Sequence, residues 1–286
     1  MIPRPFEYHA PTTVSEAISL LKNLNDSKVL AGGQSLVPLM KLRLVSPANI
    51  VDIGRISGLS YVKKVKNHLL IGSMTIHHNV AASSIINKEC KTLSEAASHI
   101  GDQQVRNRGT IGGTICHADP AADIPAAVVA LNAEFKVAGP SKERVIQAKD
   151  FFKDIFTTNL RQNEILIEVR VPVLPPRSGG TYVKLERGTG DLAIVGVAAI
   201  MTLDNAGACK DVRLGLSGVG STPIRATKAE DVLKGQKPID DLVAEAGESA
   251  CEMSNPTSDI RGSAEYKREM VKVYVRRAIK QSLSRI

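Results

Sequence analysis

Two glycine-rich segments carry the clearest chemical signal in the chain: residues 28–36 (KVLAGGQSL) and residues 106–123 (RNRGTIGGTICHADPAAD). Glycine adopts positive φ and leaves its amide open to a ligand that a Cβ would fend off, so turns built on it form concave anion sites. Two such turns could grip a pyrophosphate from both sides. Neither follows a nucleotide-binding fingerprint, because no GxGxxG opens a helix and no GxxxxGKS/T occurs. On glycine chemistry alone a Gly-Gly pair is most often just a turn, and the function stays open.

The remaining reactive side chains form no set. His77 and His78 are adjacent, hence on opposite faces if extended, and together with His117 they lack the cysteine or carboxylate cluster that completes a metal site. Cys90, Cys116, Cys209 and Cys251 stand 26, 93 and 42 positions apart, without the close pair that iron–sulfur and structural zinc sites use. No metal, no nucleophilic triad and no catalytic side chain are expected.

The elements that must hold the glycine turns read as mixed α and β. Residues 14–24 place Val14, Ala17, Ile18, Leu21 and Leu24 at helical spacing, with Thr13 or Thr12 as cap. Strand-like runs at 28–31, 50–53 and 69–71 each end in glycine. Residues 94–100 read as a helix stopped by Gly101, and a loop bearing Asp119, Pro120, Asp123 and Pro125 leads into apolar 126–131. Alternation over 165–173 predicts a strand that closes the first unit. Pro172, Pro175, Pro176, Gly179 and Gly180 then form the best linker in the chain. Strands are expected at 181–185, 193–203 and 212–219, and helices at 229–233, 240–250 and 264–283. The organisation is α+β twice over, a domain of residues 1–177 followed by a three-strand, three-helix domain of 178–286.

With 286 residues the chain has room for two domains or one large one, and 43% hydrophobic, 23% charged residues is an ordinary globular balance. Fibrous, disordered and disulfide-scaffold classes are excluded. Trp is absent and Phe plus Tyr number ten, too few for a platform that stacks single-stranded nucleic acid. The net charge of +8 is concentrated: residues 265–286 hold seven Lys/Arg against two Glu. Tyr266, Met270, Val273, Tyr274, Ala278 and Ile279 recur there at helical spacing, which predicts a docked amphipathic helix whose basic face suits an acidic partner. Residues 1–13 lack an apolar h-region and no later run nears about 18 apolar residues, so a cytoplasmic protein with reduced thiols and no membrane insertion is expected.

The full strings say more than their glycines. AGGQSL, then VRNRGTIGG followed by HADPAADIP, then YVKLERGTGDLA at 182–193, resemble the FAD-binding medium subunit of the molybdenum hydroxylases, the carbon monoxide dehydrogenase, aldehyde oxidoreductase and xanthine dehydrogenase family. The likeness spans nearly the whole chain in the right order. It implies a flavin domain of the vanillyl-alcohol-oxidase type, two α+β subdomains divided near residues 55–60, and a small C-terminal domain of three antiparallel strands and three helices.

The resemblance also implies the site. Ala31, Gly32, Gly33, Gln34 and Ser35, flanked by Val29, Leu30 and Leu36, would form the first pyrophosphate loop, and Thr110, Ile111, Gly112, Gly113 and Thr114 the second. Asp123 would accept hydrogen bonds from cofactor hydroxyls, Gly101 and His117 would line the cleft, Leu166 would pack near the flavin ring, and Lys184 would approach its polar edge. One departure is visible: Thr114 stands where the family commonly has Asn. The implied role is electron transfer through noncovalent FAD, from a small 2Fe-2S subunit beside a large molybdenum-cofactor subunit, in a dimer of heterotrimers, to an external acceptor. The alternatives are a self-contained FAD oxidase or reductase, which would turn over substrate alone, and a nucleic-acid module, which would carry no yellow flavin.

Overall fold

The computed structural model describes residues 2–286. Its first layer is a small parallel sheet of β1 (Glu7–His9), β2 (Ser27–Leu30) and β3 (Asn49–Asp52) in the order β1-β3-β2. Between β1 and β2 runs α1 (Val14–Asn23), which starts at the expected cap: Thr13 Oγ1 accepts from the Glu16 amide and the Glu16 side chain returns to the Thr13 amide. Its apolar stripe of Ala17, Ile18 and Leu21 packs with Val51 of β3, with Ile53 in the turn just after it, and with Ala138 and Ile165 beyond. Leu30 pairs with Asp52 as the last rung of β2 and β3. The first glycine pair therefore leaves the carboxyl end of a sheet-anchored strand and turns directly into α2 (Leu36–Lys41).

A five-stranded antiparallel sheet follows in the order β4-β5-β10-β6-β7, from β4 (Val62–Val65), β5 (His68–Gly72), β6 (Glu134–Ala138), β7 (Glu143–Gln147) and β10 (Ile165–Pro172). The strand expected to close the first unit is its centre. A short hairpin, β8 (Phe152–Asp154) and β9 (Thr157–Thr158), precedes it. Between β5 and β6 lie α3 (His77–Ala82), α4 (Ser84–Glu89), α5 (Lys91–Ser98), α6 (Gln103–Arg106), α7 (Ile111–His117) and α8 (Asp123–Ala130), and α9 (Ala148–Phe151) follows β7. Leu69, Ile71, Leu93, Ile111, Ile115, Ile124, Leu131 and Phe135 form the common core of sheet and helices. Every residue of α8 is buried, because it is enclosed between α5 and the sheet of the second domain.

That second sheet contains β11 (Ser178–Leu185), β12 (Val195–Leu203) and β13 (Cys209–Ser217), all antiparallel, with the two-residue β14 (Ile224–Arg225) added at its edge. Three helices complete the domain: α10 (Thr227–Leu233), α11 (Asp240–Met253) and α12 (Ala264–Leu283). Two sequence expectations need correction. Gly179 and Gly180 belong to β11, not to the linker; a Cβ at Gly179 would overlap the Ser282 carbonyl, so glycine is required for α12 to lie directly on the strand. The docked face of α12 is Lys267, Val271, Val275, Ala278, Ile279 and Ser282, whereas Tyr266 is 42% exposed and Val273 only half-buried. The stripe is shifted because Lys267 is sunk by bonds to the Thr257 carbonyl (2.9 Å) and Asp259 (2.9 Å), and Ser282 by a bond to the Gly179 carbonyl (2.7 Å). Arg268, Arg276, Arg277 and Lys280 stay exposed. No helix among the described residues is long and apolar enough to cross a membrane.

Candidate cofactor site

The two glycine segments meet. A Cβ at Gly32 would overlap the carbonyl oxygen of Arg108 and the Cα of Gly109, so only glycine lets the first turn close on the second. Gly33 has φ of +78°, with Leu30 and Val37 packed on either side of it. Ala31 faces Gly113, a Cβ there lying 3.6 Å from that of Ala31. Gln34 and Ser35 are exposed, Val29, Leu30 and Leu36 half-buried. The backbone amides of Gly32, Gly33, Gln34 and Ser35 make no hydrogen bond to described residues, which leaves four donors at the convergence point. The Gln34 side chain extends toward the Gln104 carbonyl on α6 at 3.5 Å.

The second segment is built differently. The amides of Ile111 and Gly112 donate to the Thr75 and Ser73 carbonyls (3.0 and 2.9 Å), and those of Gly113 and Thr114 to the Thr110 hydroxyl and carbonyl (3.1 and 3.0 Å). Its backbone is thus consumed in starting α7, with buried Thr110 as cap. What it offers a ligand is the hydroxyl of half-buried Thr114 and the partly exposed backbone of Gly113. The Thr114 hydroxyl lies 2.8 Å from Nε2 of His77, a fully buried histidine whose pKa burial lowers to about 4.

A third group joins the domains. Lys184 on β11 is shut from water and donates to the His99 carbonyl (3.1 Å), Asp123 Oδ2 (3.2 Å) and Glu186 (3.1 Å). The other oxygen of Asp123 accepts from the Tyr182 hydroxyl at 2.7 Å. Burial raises the Asp123 carboxyl pKa, while Lys184 and Tyr182 oppose the rise, and Tyr182 is itself pushed well above its ordinary value by burial. Gly101 lies two residues from His99, its carbonyl held by Arg106 (2.9 Å), and the backbone of Gly190 from the second domain lies against it. The His117 ring stacks on Phe156 at 4.9 Å, and burial lowers its pKa. Leu166 is buried in the β10 core beside Val137.

Several participants escaped the sequence reading. Arg106 and Tyr182 lie inside the quoted strings with nothing local to single them out, and no motif assigns His77 a role as metal ligand or flavin linker. Glu95 was invisible: it takes two bonds from Arg285 (2.6 and 3.0 Å) and one each from Thr181 and the Tyr182 amide, pinning the chain end and β11 to α5.

The donor set fits a bound diphosphate: free amides and a hydroxyl, with no carboxylate in residues 31–36 or 108–117. The arrangement suits a dinucleotide of the flavin kind, on a scaffold that is neither a Rossmann domain nor a P-loop. Residues 4–174 match the family described as "FAD binding domain in molybdopterin dehydrogenase", and residues 180–282 the "CO dehydrogenase flavoprotein C-terminal domain". The chain belongs to this family of FAD-binding molybdopterin dehydrogenase subunits. It is 40% identical to the carbon monoxide dehydrogenase medium chain of Hydrogenophaga pseudoflava, over 100% of this chain and 99% of that one. It is also 40% identical to the glyceraldehyde dehydrogenase medium chain of Sulfolobus acidocaldarius, over 98% and 99% of the two chains. Among solved structures, carbon monoxide dehydrogenase from Hydrogenophaga pseudoflava superposes with a TM-score of 0.97 at 41% identity, covering 99% of each chain. Quinoline 2-oxidoreductase from Pseudomonas putida 86 superposes with a TM-score of 0.93 at 32% identity, again over 99% of each.

Proposed function

We propose that this chain is the FAD-carrying electron-transfer subunit of a multi-subunit molybdenum hydroxylase. It takes electrons from iron–sulfur clusters on a small 2Fe-2S partner, beside a large molybdenum-cofactor subunit, and delivers them to an external acceptor. The observation that carries this reading is the convergence of the two glycine turns, the first of which keeps four amides free. When bound, FAD supplies electron exchange in single or paired steps, chemistry that no side chain here can provide.

The residues of this chain bind and orient. Gly32, Gly33, Gln34 and Ser35 present their amides to the pyrophosphate, and Ala31, Val29, Leu30 and Leu36 shape that loop. From the other side come Thr114 and the partly exposed backbone of Gly113, fixed by Thr110, Ile111 and Gly112. Gly101, His117, Asp123 and Lys184 flank the cofactor where the domains meet, with Leu166 in the core behind. Within the set, Asp123 and Lys184 also hold β11 against α8 through their own ion pair.

We take the domains as 1–177 and 178–286, with the subdomain boundary near 55–60. The family matches, which end at 174 and resume at 180, support the first division, and the change of sheet between Asp52 and Val62 the second. Relatives named as medium chains support a dimer of heterotrimers as the assembly. Four free cysteines suit the reducing cytoplasm. The test is release and loss of flavin. Acid precipitation should leave FAD yellow in the supernatant, and Gly33→Val, which puts a β-branched side chain at φ of +78°, should abolish occupancy while the fold survives. Colour retained in the pellet refutes noncovalent binding, and full occupancy in the variant refutes the assignment of the first loop.

A further inference from the structure

We infer that His77 is a positioning residue for the second glycine loop, donating its Nε2 proton to Thr114 and so turning the Thr114 hydroxyl proton outward to the diphosphate. The inference rests on the FAD reading above. His77 opens α3 with its amide bonded to the Gly109 carbonyl (2.9 Å), and its ring lies against Gly109, where a Cβ would come within 3.0 Å of Cδ2. The ring is 1% exposed, and its one polar contact is Nε2 to Thr114 Oγ1 at 2.8 Å. Nδ1 is buried without a hydrogen-bond partner among the described residues. A buried N–H without an acceptor is a rarer defect than an unused acceptor lone pair, so the proton belongs on Nε2. Burial keeps the ring neutral, lowering its pKa to about 4.

Thr114 Oγ1 therefore receives a hydrogen bond and must donate its own proton elsewhere. The carbonyl that a helical threonine commonly uses, four residues back at Thr110, already accepts the Thr114 amide at 3.0 Å, and the Thr114 hydroxyl makes no bond to it. Since Thr114 is only half-buried, the remaining direction is outward. The ring thereby fixes a one-proton rotor as a donor to an anion, the task an amide N–H would perform if Asn stood at this position.

The experiment is a double-mutant cycle on the full chain stripped of flavin, reading the FAD dissociation constant by fluorescence quenching, with thermal melts of each apo-protein as the fold control. Thr114→Val and His77→Leu should each weaken binding roughly tenfold to hundredfold, the worth of one hydrogen bond to a charged group. The double variant should be no worse than the weaker single, and Thr114→Ser and His77→Gln, which keep a hydroxyl and an N–H donor, should bind within about threefold of wild type. Additive losses, or unchanged binding by Thr114→Val while Gly33→Val abolishes it, overturn the inference and leave the FAD site standing. Unchanged binding by Gly33→Val overturns the site itself. If His77→Leu does not fold, Thr114→Val against His77→Gln decides: loss in the first and retention in the second support the relay, and the reverse refutes it.

Discussion

Replacing Lys184 with Met removes the cation from a cluster in which only Glu186 keeps appreciable contact with water. Side-chain exposure is 0% for Lys184 and 4% for Asp123, and the ammonium sits 3.2 Å from Asp123 and 3.1 Å from Glu186. Taking one partner from a buried ion pair costs about 3–5 kcal/mol, since the other charge is left buried and uncompensated. Asp123 can escape that cost by protonation, so the loss should depend on pH. Its folded pKa is already raised by burial and rises further without Lys184. A carboxyl raised above its unfolded value of about 3.9 contributes stability that is present below that value and is lost as pH climbs through the folded pKa, at up to about 1.4 kcal/mol per unit. Urea unfolding should therefore show Lys184→Met close to wild type near pH ~4 and about 3–5 kcal/mol weaker at pH ~7, with Lys184→Met/Asp123→Asn recovering most of the difference at the higher pH. The same charge change lowers the flavin reduction potential at high pH, where Asp123 stays ionised, and less at low pH. A pH-independent difference, or no loss of stability, would refute the tether.

Gly113→Val should abolish FAD binding and cost about 1 kcal/mol of stability, because its Cβ would press within 2.8 Å of Thr110 Oγ1 and break the cap of α7; flavin stoichiometry and melting temperature read the two effects separately. Arg285→Ala should destabilise by about 1.5–3 kcal/mol, from the loss of charged bonds to Glu95 and of the 2.8 Å bond to the Gly180 carbonyl. Glu95 also gives that variant a pH signature: burial works to raise its pKa, but Arg285, the Tyr182 amide and Thr181 win and hold it low. The wild-type advantage is therefore present above the usual carboxylate range and disappears as pH falls through the folded value, so unfolding curves of the two proteins should converge in acid.

Most of the scaffold was legible because its helices and strands obey local rules. The Thr13 cap, the apolar spacing of α1 and the alternation of β10 are properties of neighbouring residues, and the structure reproduces them with ends shifted by a residue or two. The failures share one cause. Gly179 and Gly180 look like linker because glycine usually is one, yet they are strand residues whose missing Cβ makes room for distant neighbours, the Ser282 carbonyl of α12 at Gly179 and Thr92 of α5 with Ile200 at Gly180. The face of α12 was misjudged because two of its buried residues, Lys267 and Ser282, are polar, and only a tertiary partner makes burying them tolerable.

The same distinction explains how the site read. The glycines were visible, but two segments with the same composition proved unlike in chemistry: the first keeps four amides free, the second spends its own on Ser73, Thr75 and Thr110. Sequence cannot show where a backbone hydrogen bond goes, so it ranked both loops as equal cradles. A loop whose amides are already committed can add an anion donor only through side chains, which makes Thr114 matter more than the glycines around it. That in turn gives weight to whatever aims its hydroxyl. The histidine in question, thirty-seven positions away in the chain and lacking any motif, becomes a candidate for function only once burial and a 2.8 Å contact are known.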